Sequence, residues 1–384
     1  MTLMKTYKRF DLNFVKGKGV YLFEKDGDKY LDFVAGIAVN ALGHSNEKIV
    51  KAIKDQSEKL LHISNLYYDD HQINLGKKLI DLSDHQSVFF CNSGTEAIEG
   101  ALKIARKYGL EKGKNKILYF DNAFHGRTLG ALSVTSNEKY KKSFKPLIPN
   151  IEKVKLNDKE DFLDKFDKNV CAVIIEPIQG EGGINPVDQG FLELIRDETA
   201  MNDALLIFDE VQAGIGRTGV FFAYQGFNVI PDVIALAKGL GGGVPIGAFI
   251  ANKKADVLSY GDHGCTFGGN PLVTAVSNVV VDEISKASFL KQVKEKGDYL
   301  INKLSELMHE SSLITQVKGK GLMIGVDFKI DPKIIVKLAL EEKLLVINAG
   351  VNTIRLVPAL NVTYKEIDAF IYLFEKVIKK AEKL

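Results

Sequence analysis

Short apolar runs alternate with longer stretches of helical periodicity between about residues 88 and 251. Several of the runs are apolar at nearly every position, which is typical of strands buried on both faces of a sheet. The alternation itself predicts an α/β fold in which a parallel sheet is covered by helices. The predicted strands are residues 88–91, 116–120, 170–175, 204–208, 233–237 and 246–250.

The two ends of the chain follow a different pattern. Residues 19–33 alternate around Asp26 and Gly27, which predicts a hairpin. Beyond residue 270 the periodicity predicts amphipathic helices at 272–285, 290–309 and 364–384, with strands near 315–328 and 353–356. We therefore predict a large domain over residues 46–270, and a smaller α+β domain built from residues 1–45 and 271–384.

The charge balance narrows the choice of partners. Lys and Arg total 51 against 49 for Asp and Glu among the 384 residues, a net charge of +2. Such a chain has no electrostatic preference for nucleic acid or for an anionic membrane. A small-molecule partner is the expectation.

The location of the protein is predicted from its cysteines and its first residues. The cysteines are odd in number and widely spaced, which is typical of reduced thiols in a cytoplasmic protein. Charged residues interrupt any signal-peptide core near the start, and no apolar run is long enough to span a bilayer. The residues concerned are Cys91, Cys171 and Cys265, and Lys5, Lys8, Arg9 and Asp11.

Opposite charges follow two of the predicted buried strands. Asp209 and Glu210 come directly after the strand at 204–208, and Lys238 follows the strand at 233–237. Ligands of open sheets bind outside the carboxyl ends of the strands, where a desolvated lysine becomes a nucleophilic amine. An aspartate beside it could pair with a pyridinium nitrogen. The simpler alternative is that Lys238 is a solvated strand end.

A possible anion site follows the first core strand. Asn92-Ser93-Gly94-Thr95-Glu96 precedes a helical run through Lys107. Ser93 suits a helix N-cap, Gly94 lets a ligand approach the backbone, and free amides at a helix start bind phosphate. A plain capped helix has the same sequence features, so this signal is weak by itself.

A glycine pattern points to another class of enzyme. Residues 214–219, Gly-Ile-Gly-Arg-Thr-Gly, match the dinucleotide fingerprint and keep a nicotinamide dehydrogenase open as an alternative. The residues that follow are too few and too aromatic for the helix that this fingerprint requires. We therefore predict a surface connector at 214–219. His263 and Cys265 are too sparse for zinc, and no metal is expected.

Eight motifs in order along the chain resemble the class III aminotransferases, and the resemblance runs nearly from end to end. It implies the type I fold of pyridoxal phosphate-dependent transferases: a mainly parallel seven-stranded sheet with helices on both faces, beside a smaller domain. The motifs are Gly36-Ile37-Ala38-Val39 with Gly43-His44, Asn65 to Tyr68, Asn92 to Ala97, Phe124 to Thr128, Glu176 to Gly182, Asp209 to Gln212, Ala237 to Gly239, and Thr266 to Pro271.

The resemblance also implies a cofactor and roles for individual residues. Lys238 would carry pyridoxal 5'-phosphate as a Schiff base and move the proton, while Asp209 would keep the ring nitrogen protonated. Thr266 would reach the phosphate in the neighbouring subunit, which implies a homodimer with shared active sites. The other expected cofactor contacts are Ser93, Gly94 and Thr95 at the phosphate, Phe124 and Val211 on the two ring faces, and Gln212 at the ring hydroxyl.

Two arginines are expected to bind the carboxylates of the substrates, because a guanidinium recognises a carboxylate through two donors. Arg355 resembles the residue that holds the α-carboxylate of glutamate and 2-oxoglutarate, and Arg127 the residue at the far end of the amine donor. Glu181 would cover Arg355 when the donor is bound. Cys265 stands where Ser or Thr is usual, and Tyr7 is also expected at the substrate.

The reaction implied is transfer of the δ-amino group of N2-acetylornithine to 2-oxoglutarate in two half-reactions at one site. Ornithine, succinyldiaminopimelate and 4-aminobutyrate remain alternative donors. A non-catalytic binding protein remains possible if Lys238 is solvated. Two positions depart from the family pattern, because Ile98 and Gly100 stand where Asn and Ala are expected, and Gly100 costs the helix about 1 kcal/mol.

Overall fold

A computed structural model describes residues 2–384 and contains a seven-stranded sheet at its centre. Neighbouring strands are parallel except at Gly247–Ala251, which is antiparallel to both of its neighbours. The mainly parallel α/β architecture is therefore confirmed. In spatial order the strands are Ser87–Cys91, Gly247–Ala251, Val233–Leu236, Leu205–Asp209, Val170–Ile175, Lys116–Phe120 and Ile151–Val154.

Alternation along the strands divides the apolar side chains between two faces of this sheet. Ile117, Ile174 and Ile207 belong to a cluster that includes the buried side of helix Gly94–Leu110. The apolar residues next to them in sequence belong to the larger core on the other face, namely Leu118, Val173, Ile175, Leu206 and Phe208. Side chains of successive strand residues point to opposite faces, so strands with both faces covered must be apolar at every position.

Helices cover this sheet and its edges. Pro271–Ile284 packs against both Glu47–Ser57 and Asp70–Asp81. Several helices start with a side chain that caps the free amides, as Asn46, Asp69 and Ser93 do. The remaining helices here are Leu129–Ser133, Glu138–Lys141, Lys159–Lys165 and Gln189–Met201, with short 3-10 turns at Lys142–Phe144, Ala223–Gly226 and Lys238–Gly241.

Two smaller sheets contain the ends of the chain. Leu344–Leu345 runs parallel to Lys29–Asp32, so a C-terminal segment pairs directly with an N-terminal one. This pairing supports our proposal that the two ends of the chain together form one small domain. The first sheet has Phe14–Lys18, Tyr21–Glu24, Lys29–Asp32 and Leu344–Leu345, the second has Ile314–Lys320, Met323–Phe328, Thr353–Leu356 and Ile347–Ala349, and the helices are Ala287–Glu310, Pro332–Glu341 and Tyr364–Ala381.

The prediction of a surface connector at residues 214–219 is wrong. These residues are mostly buried, and the guanidinium of Arg217 donates from Nη1 to the carbonyls of Leu322 at 3.0 Å and Pro358 at 2.6 Å. Gly216 has a φ of 80°, and a side chain there would meet Ile284. The glycines therefore allow a buried turn to pass close to a helix, and the next element is the short 3-10 turn Ala223–Gly226 and not the helix that the fingerprint requires. Among residues 2–384, no helix is both long enough and apolar enough to cross a membrane.

Candidate active site

A cavity of about 480 Å³ lies at the carboxyl ends of the central strands. Asp209 ends one strand, and its backbone is paired with Ala235 of the adjacent parallel strand, three residues before Lys238. The structure therefore brings Asp209 and Lys238 to the same cavity, as the sequence predicts. Ten residues predicted from the sequence line the cavity, namely Ser93, Gly94, Thr95, Phe124, Arg127, Glu181, Asp209, Val211, Gln212 and Lys238.

The side chain of Lys238 projects from a strained turn. Its φ is +40°, a left-handed conformation that a residue with a side chain adopts at some cost and that often marks a functional position. Burial lowers the pKa of its ammonium to about 8, and the nearby charge of Arg355 acts in the same direction. Within residues 2–384 its amine has neither a hydrogen bond nor an ion pair, so it is free to react.

Asp209 has a fixed orientation beside that amine. Its Oδ1 accepts the backbone N–H of Val211 at 2.9 Å, and its Oδ2 lies 2.7 Å from Nδ1 of His125. His125 is buried, and its backbone N–H donates to Thr135 Oγ1 at 3.0 Å. A buried carboxylate held at both oxygens can stabilise a positive charge placed next to it in the cavity.

The start of helix Gly94–Leu110 forms the predicted anion cradle. Ser93 caps the helix by accepting the N–H of Glu96, which leaves the amides of Gly94 and Thr95 directed away from the helix body. A Cβ atom on Gly94 would lie 2.7 Å from Cγ1 of Val211. The glycine therefore lets Val211 pack directly against the start of the helix, at the wall of the cavity.

Arg355 is buried next to two residues of the cavity wall, and part of its guanidinium has no hydrogen-bond partner among the described residues. Its Nη1 donates to Glu181 Oε1 at 2.7 Å and to Gln212 Oε1 at 3.1 Å. Its Nε and Nη2 are buried and have no partner among the described residues. Unpaired buried donors cost stability, so they indicate a position for an acceptor that arrives with a ligand.

Four predicted residues do not line the cavity: Arg355, which binds two lining residues, and Thr266, Tyr7 and Cys265. Thr266 and Tyr7 are exposed, and the guanidinium carbon of Arg9 lies 5.7 Å from the centre of the Tyr7 ring. Cys265 is near the wall, with its Sγ 3.1 Å from Nδ2 of Asn92, a cavity residue. Their roles at the substrate or at the partner's cofactor stay predictions.

Two residues of the site had no role assigned from the sequence. His125 orients Asp209, and Glu176 accepts the N–H groups of Phe124 at 3.1 Å and Gly180 at 3.0 Å. Burial raises the pKa of Glu176 to about 7, and the charge of Asp209 adds to the effect. The sequence could have indicated Glu176 as a site residue, because it follows strand Val170–Ile175 just as Asp209 ends strand Leu205–Asp209. His125 has no comparable sequence signal.

The residues of the cavity fit pyridoxal phosphate. An unpaired amine, a fixed buried carboxylate and a helix start at the cavity wall are the donors and charges that its aldehyde, ring nitrogen and phosphate require. Phe124 and Val211 contribute apolar surface to the same cavity. The glycine-rich turn at 214–219, on which the dinucleotide alternative rests, is mostly buried and does not line this cavity.

Comparison with known proteins agrees with this geometry. The chain matches the family described as aminotransferase class III over residues 3–378. It is 51% identical over 382 residues to an acetylornithine aminotransferase of Clostridium acetobutylicum, covering 98% of this chain and 99% of that protein.

Solved structures give the same result. An ornithine aminotransferase from Toxoplasma gondii superimposes with a TM-score of 0.95 at 30% identity, over 100% of this chain and 93% of the other. An N-acetylornithine aminotransferase from Stenotrophomonas maltophilia does so with a TM-score of 0.86 at 32% identity, over 98% of both chains.

Proposed function

This chain belongs to the class III aminotransferase family, and we propose that it transfers the δ-amino group of N2-acetylornithine to 2-oxoglutarate. It is a pyridoxal phosphate-dependent enzyme. The products are N-acetylglutamate 5-semialdehyde and glutamate, formed in two half-reactions that use one cavity in turn. The acetylornithine aminotransferase from Clostridium acetobutylicum, with which the chain aligns along its whole length, supports this choice of donor.

The observation that carries the proposal is the buried, partly unpaired guanidinium of Arg355 beside Lys238. Its free Nε and Nη2 atoms form an edge that can receive the α-carboxylate of 2-oxoglutarate. Arg127, on another part of the wall, can receive a second carboxylate. A site with two cationic ends suits a dicarboxylic acceptor, and also a donor that has a carboxylate far from its reacting amine.

Glu181 lets one site accept both kinds of substrate. While its carboxylate is bound to Nη1, it neutralises Arg355, so the uncharged methylene chain of the amine donor can lie alongside. When 2-oxoglutarate enters, its carboxylate competes with Glu181 for the guanidinium. The exchange replaces one ion pair by another and avoids leaving a buried charge alone.

When bound, pyridoxal phosphate carries the amino group between substrates and accepts the electrons released as the substrate C–H bond breaks. Lys238 Nζ, in its neutral form, would take the proton from the substrate carbon and return it. Asp209, oriented by His125, supplies the negative charge that holds a proton on the ring nitrogen. Ser93, Gly94 and Thr95 would anchor the phosphate.

We also propose that the active enzyme is a homodimer in the cytoplasm. Leu66 and Tyr68 are 87% and 94% exposed, and Phe267 is exposed next to Thr266. A large apolar surface next to an exposed residue expected at a phosphate fits a subunit interface that completes the site. The three cysteines are free thiols, as suits a reducing compartment.

A comparison of amine donors tests the proposal. The purified enzyme is assayed with acetylornithine, ornithine, succinyldiaminopimelate and 4-aminobutyrate, each with 2-oxoglutarate, and kcat/KM values are compared. Ornithine is the second candidate, because a solved ornithine aminotransferase has the same fold over the whole chain. We expect acetylornithine to have the highest value. A tenfold preference for another donor, about 1.4 kcal/mol in transition-state binding, would show that the proposed substrate is wrong.

A further inference from the structure

Arg127 is held at the cavity wall by aromatic rings and not by acidic side chains. Its guanidinium carbon lies 3.5 Å from the centre of the Tyr140 ring and 5.4 Å from that of Phe124. Across residues 2–384, its guanidinium makes no ion pair or hydrogen bond. The two rings are themselves in edge-to-face contact, with their centres 6.4 Å apart. The arginine is thus oriented by contacts that leave its charge without an ion pair and its N–H groups without hydrogen bonds.

This arrangement suits recognition of a carboxylate. Stacking on an aromatic face uses the π surface of the guanidinium, whereas binding a carboxylate uses the N–H groups in its plane. A partner such as Asp or Glu would have neutralised the charge before the substrate arrived. Tyr140 therefore restricts where the guanidinium can lie without competing for the ligand.

Tyr140 is fixed by a buried lysine next to it. Helix Glu138–Lys141 is capped by Asn137, which accepts the N–H of Lys139 at 3.0 Å. Lys141 is 7% exposed, and its Nζ donates to the hydroxyl of Tyr119 at 3.0 Å and to the carbonyl of Ser133 at 3.1 Å. A buried ammonium is tolerated only with such partners. These two hydrogen bonds of Lys141 fix the rotation of the short helix Glu138–Lys141, and so the direction in which Tyr140 points.

We propose that Tyr140 is a positioning residue that makes the enzyme selective for substrates with a carboxylate remote from the reacting group. It does so by holding Arg127 over its ring, at the wall of the cavity that contains Lys238. The inference rests on the proposed function, because that function supplies the substrate whose distal carboxylate Arg127 receives. The alternative is that Tyr140 only covers the arginine.

A pair of donors that differ only in the carboxylate tests this inference. N-acetyl-1,4-diaminobutane is N2-acetylornithine without that group. Single-turnover amine half-reactions of the holoenzyme are compared for wild type, Tyr140→Phe, Tyr140→Leu and Tyr140→Gln. In the Leu and Gln variants, we expect half-saturation by acetylornithine to rise about fivefold, the loss of one exposed cation–π contact, with little change in the limiting rate. The decarboxylated donor should react as in wild type, and Tyr140→Phe should resemble wild type with both.

Binding of glutarate, followed by calorimetry, supplies a readout that needs no turnover. Its dissociation constant should rise about fivefold in the Leu and Gln variants and stay near wild type in the Phe variant. Tyr372→Leu removes the ring under Lys376 on the exposed face of helix Tyr364–Ala381 and should change neither readout. Equal losses for both donors, or unchanged glutarate binding in both ring-free variants, would overturn the inference. If wild type prefers a different donor but glutarate binding still weakens, the proposed substrate fails while the role of Tyr140 stands.

Discussion

The Nη1 atom of Arg355 lies 2.7 Å from Oε1 of Glu181, a residue of the cavity wall. The arginine is fully buried and the glutamate is about one-third exposed, so only Glu181 can move into solvent without a large cost. A carboxylate substrate that binds the free Nε and Nη2 atoms must therefore compete with Glu181 for the charge of the guanidinium.

Glu181→Gln should make binding of 2-oxoglutarate tighter. The neutral amide keeps the size of the side chain but competes less strongly for Arg355. Since Glu181 is partly solvated, we expect a modest effect, a fall of roughly threefold to fivefold in the half-saturating concentration. Steady-state kinetics against 2-oxoglutarate measure it, and Glu306→Gln, at an exposed pair with Lys303, is the control. Weaker binding of 2-oxoglutarate by the variant would contradict the proposed exchange.

The reaction of Lys238 with added cofactor should depend on pH in the neutral range. Burial lowers the pKa of its ammonium to about 8, and only the neutral amine attacks an aldehyde. The rate constant for reconstitution of cofactor-free enzyme should therefore rise nearly tenfold per pH unit below 8 and level off above it. Stopped-flow absorbance measures the profile. A rate that still rises steeply past pH 9.5, as for an ordinary lysine, would rule out this description of Lys238.

Asp209→Asn should impair turnover more than cofactor retention. The amide cannot supply the negative charge that keeps a proton on the ring nitrogen, so kcat should fall by roughly a hundredfold or more. The phosphate cradle at Gly94 and the amine of Lys238 are untouched by the change. Absorbance after gel filtration measures the retained cofactor, and kcat is measured on the same sample. Near-normal turnover by the loaded variant would exclude the assigned role.

Gly100→Ala should destabilise the protein, although helix propensity alone predicts the opposite. A Cβ atom at this position would lie 2.1 Å from Cε1 of Phe249, a buried ring that stacks on Phe89. We expect a loss of about 1–3 kcal/mol, as for other overpacked cores. Urea unfolding measures it, with Gly190→Ala as the control, because that helical position has only Lys159 nearby, at 3.6 Å. A more stable Gly100→Ala protein would show that the contact is relaxed easily.

Tyr68→Asp should separate the subunits of the proposed dimer. Tyr68 is 94% exposed in the single chain, so the substitution has little to disturb unless a partner covers it. Light scattering should give twice the chain mass for wild type and a larger monomer fraction for the variant, with activity falling in parallel. Monomeric wild-type enzyme with full activity would refute the shared site.

Local patterns predicted most of the central sheet and the residues at its carboxyl edge. Strands Lys116–Phe120 and Val170–Ile175 have the bounds that the sequence predicts, because strands buried on both faces are continuously apolar. Ile151–Val154 was missed because it is short and contains two charged residues at the edge of the sheet. Asp209 and Lys238 were found because residues after parallel strands meet at one edge.

Contacts between distant segments could not be predicted in this way. The sequence predicts only a loss of helix propensity at Gly100, because the contact with Phe249 joins distant segments. Nothing in the sequence relates Tyr140 to Arg127. The buried turn around Arg217 resembled a surface connector because polar and glycine residues usually indicate exposure. Here the glycines allow close backbone approach, and two carbonyl groups from other segments accept hydrogen bonds from Nη1 of the guanidinium.

The most direct measurement of the central claim is the site at which the cofactor is attached. The purified holoenzyme is reduced with borohydride and digested, and the modified peptide is sequenced by mass spectrometry. We predict one pyridoxyl group, on Lys238, with loss of the visible absorbance band, and no such band in Lys238→Ala. A modified peptide containing a different lysine, or a colourless wild-type enzyme that cannot be reconstituted with pyridoxal phosphate, would contradict the account.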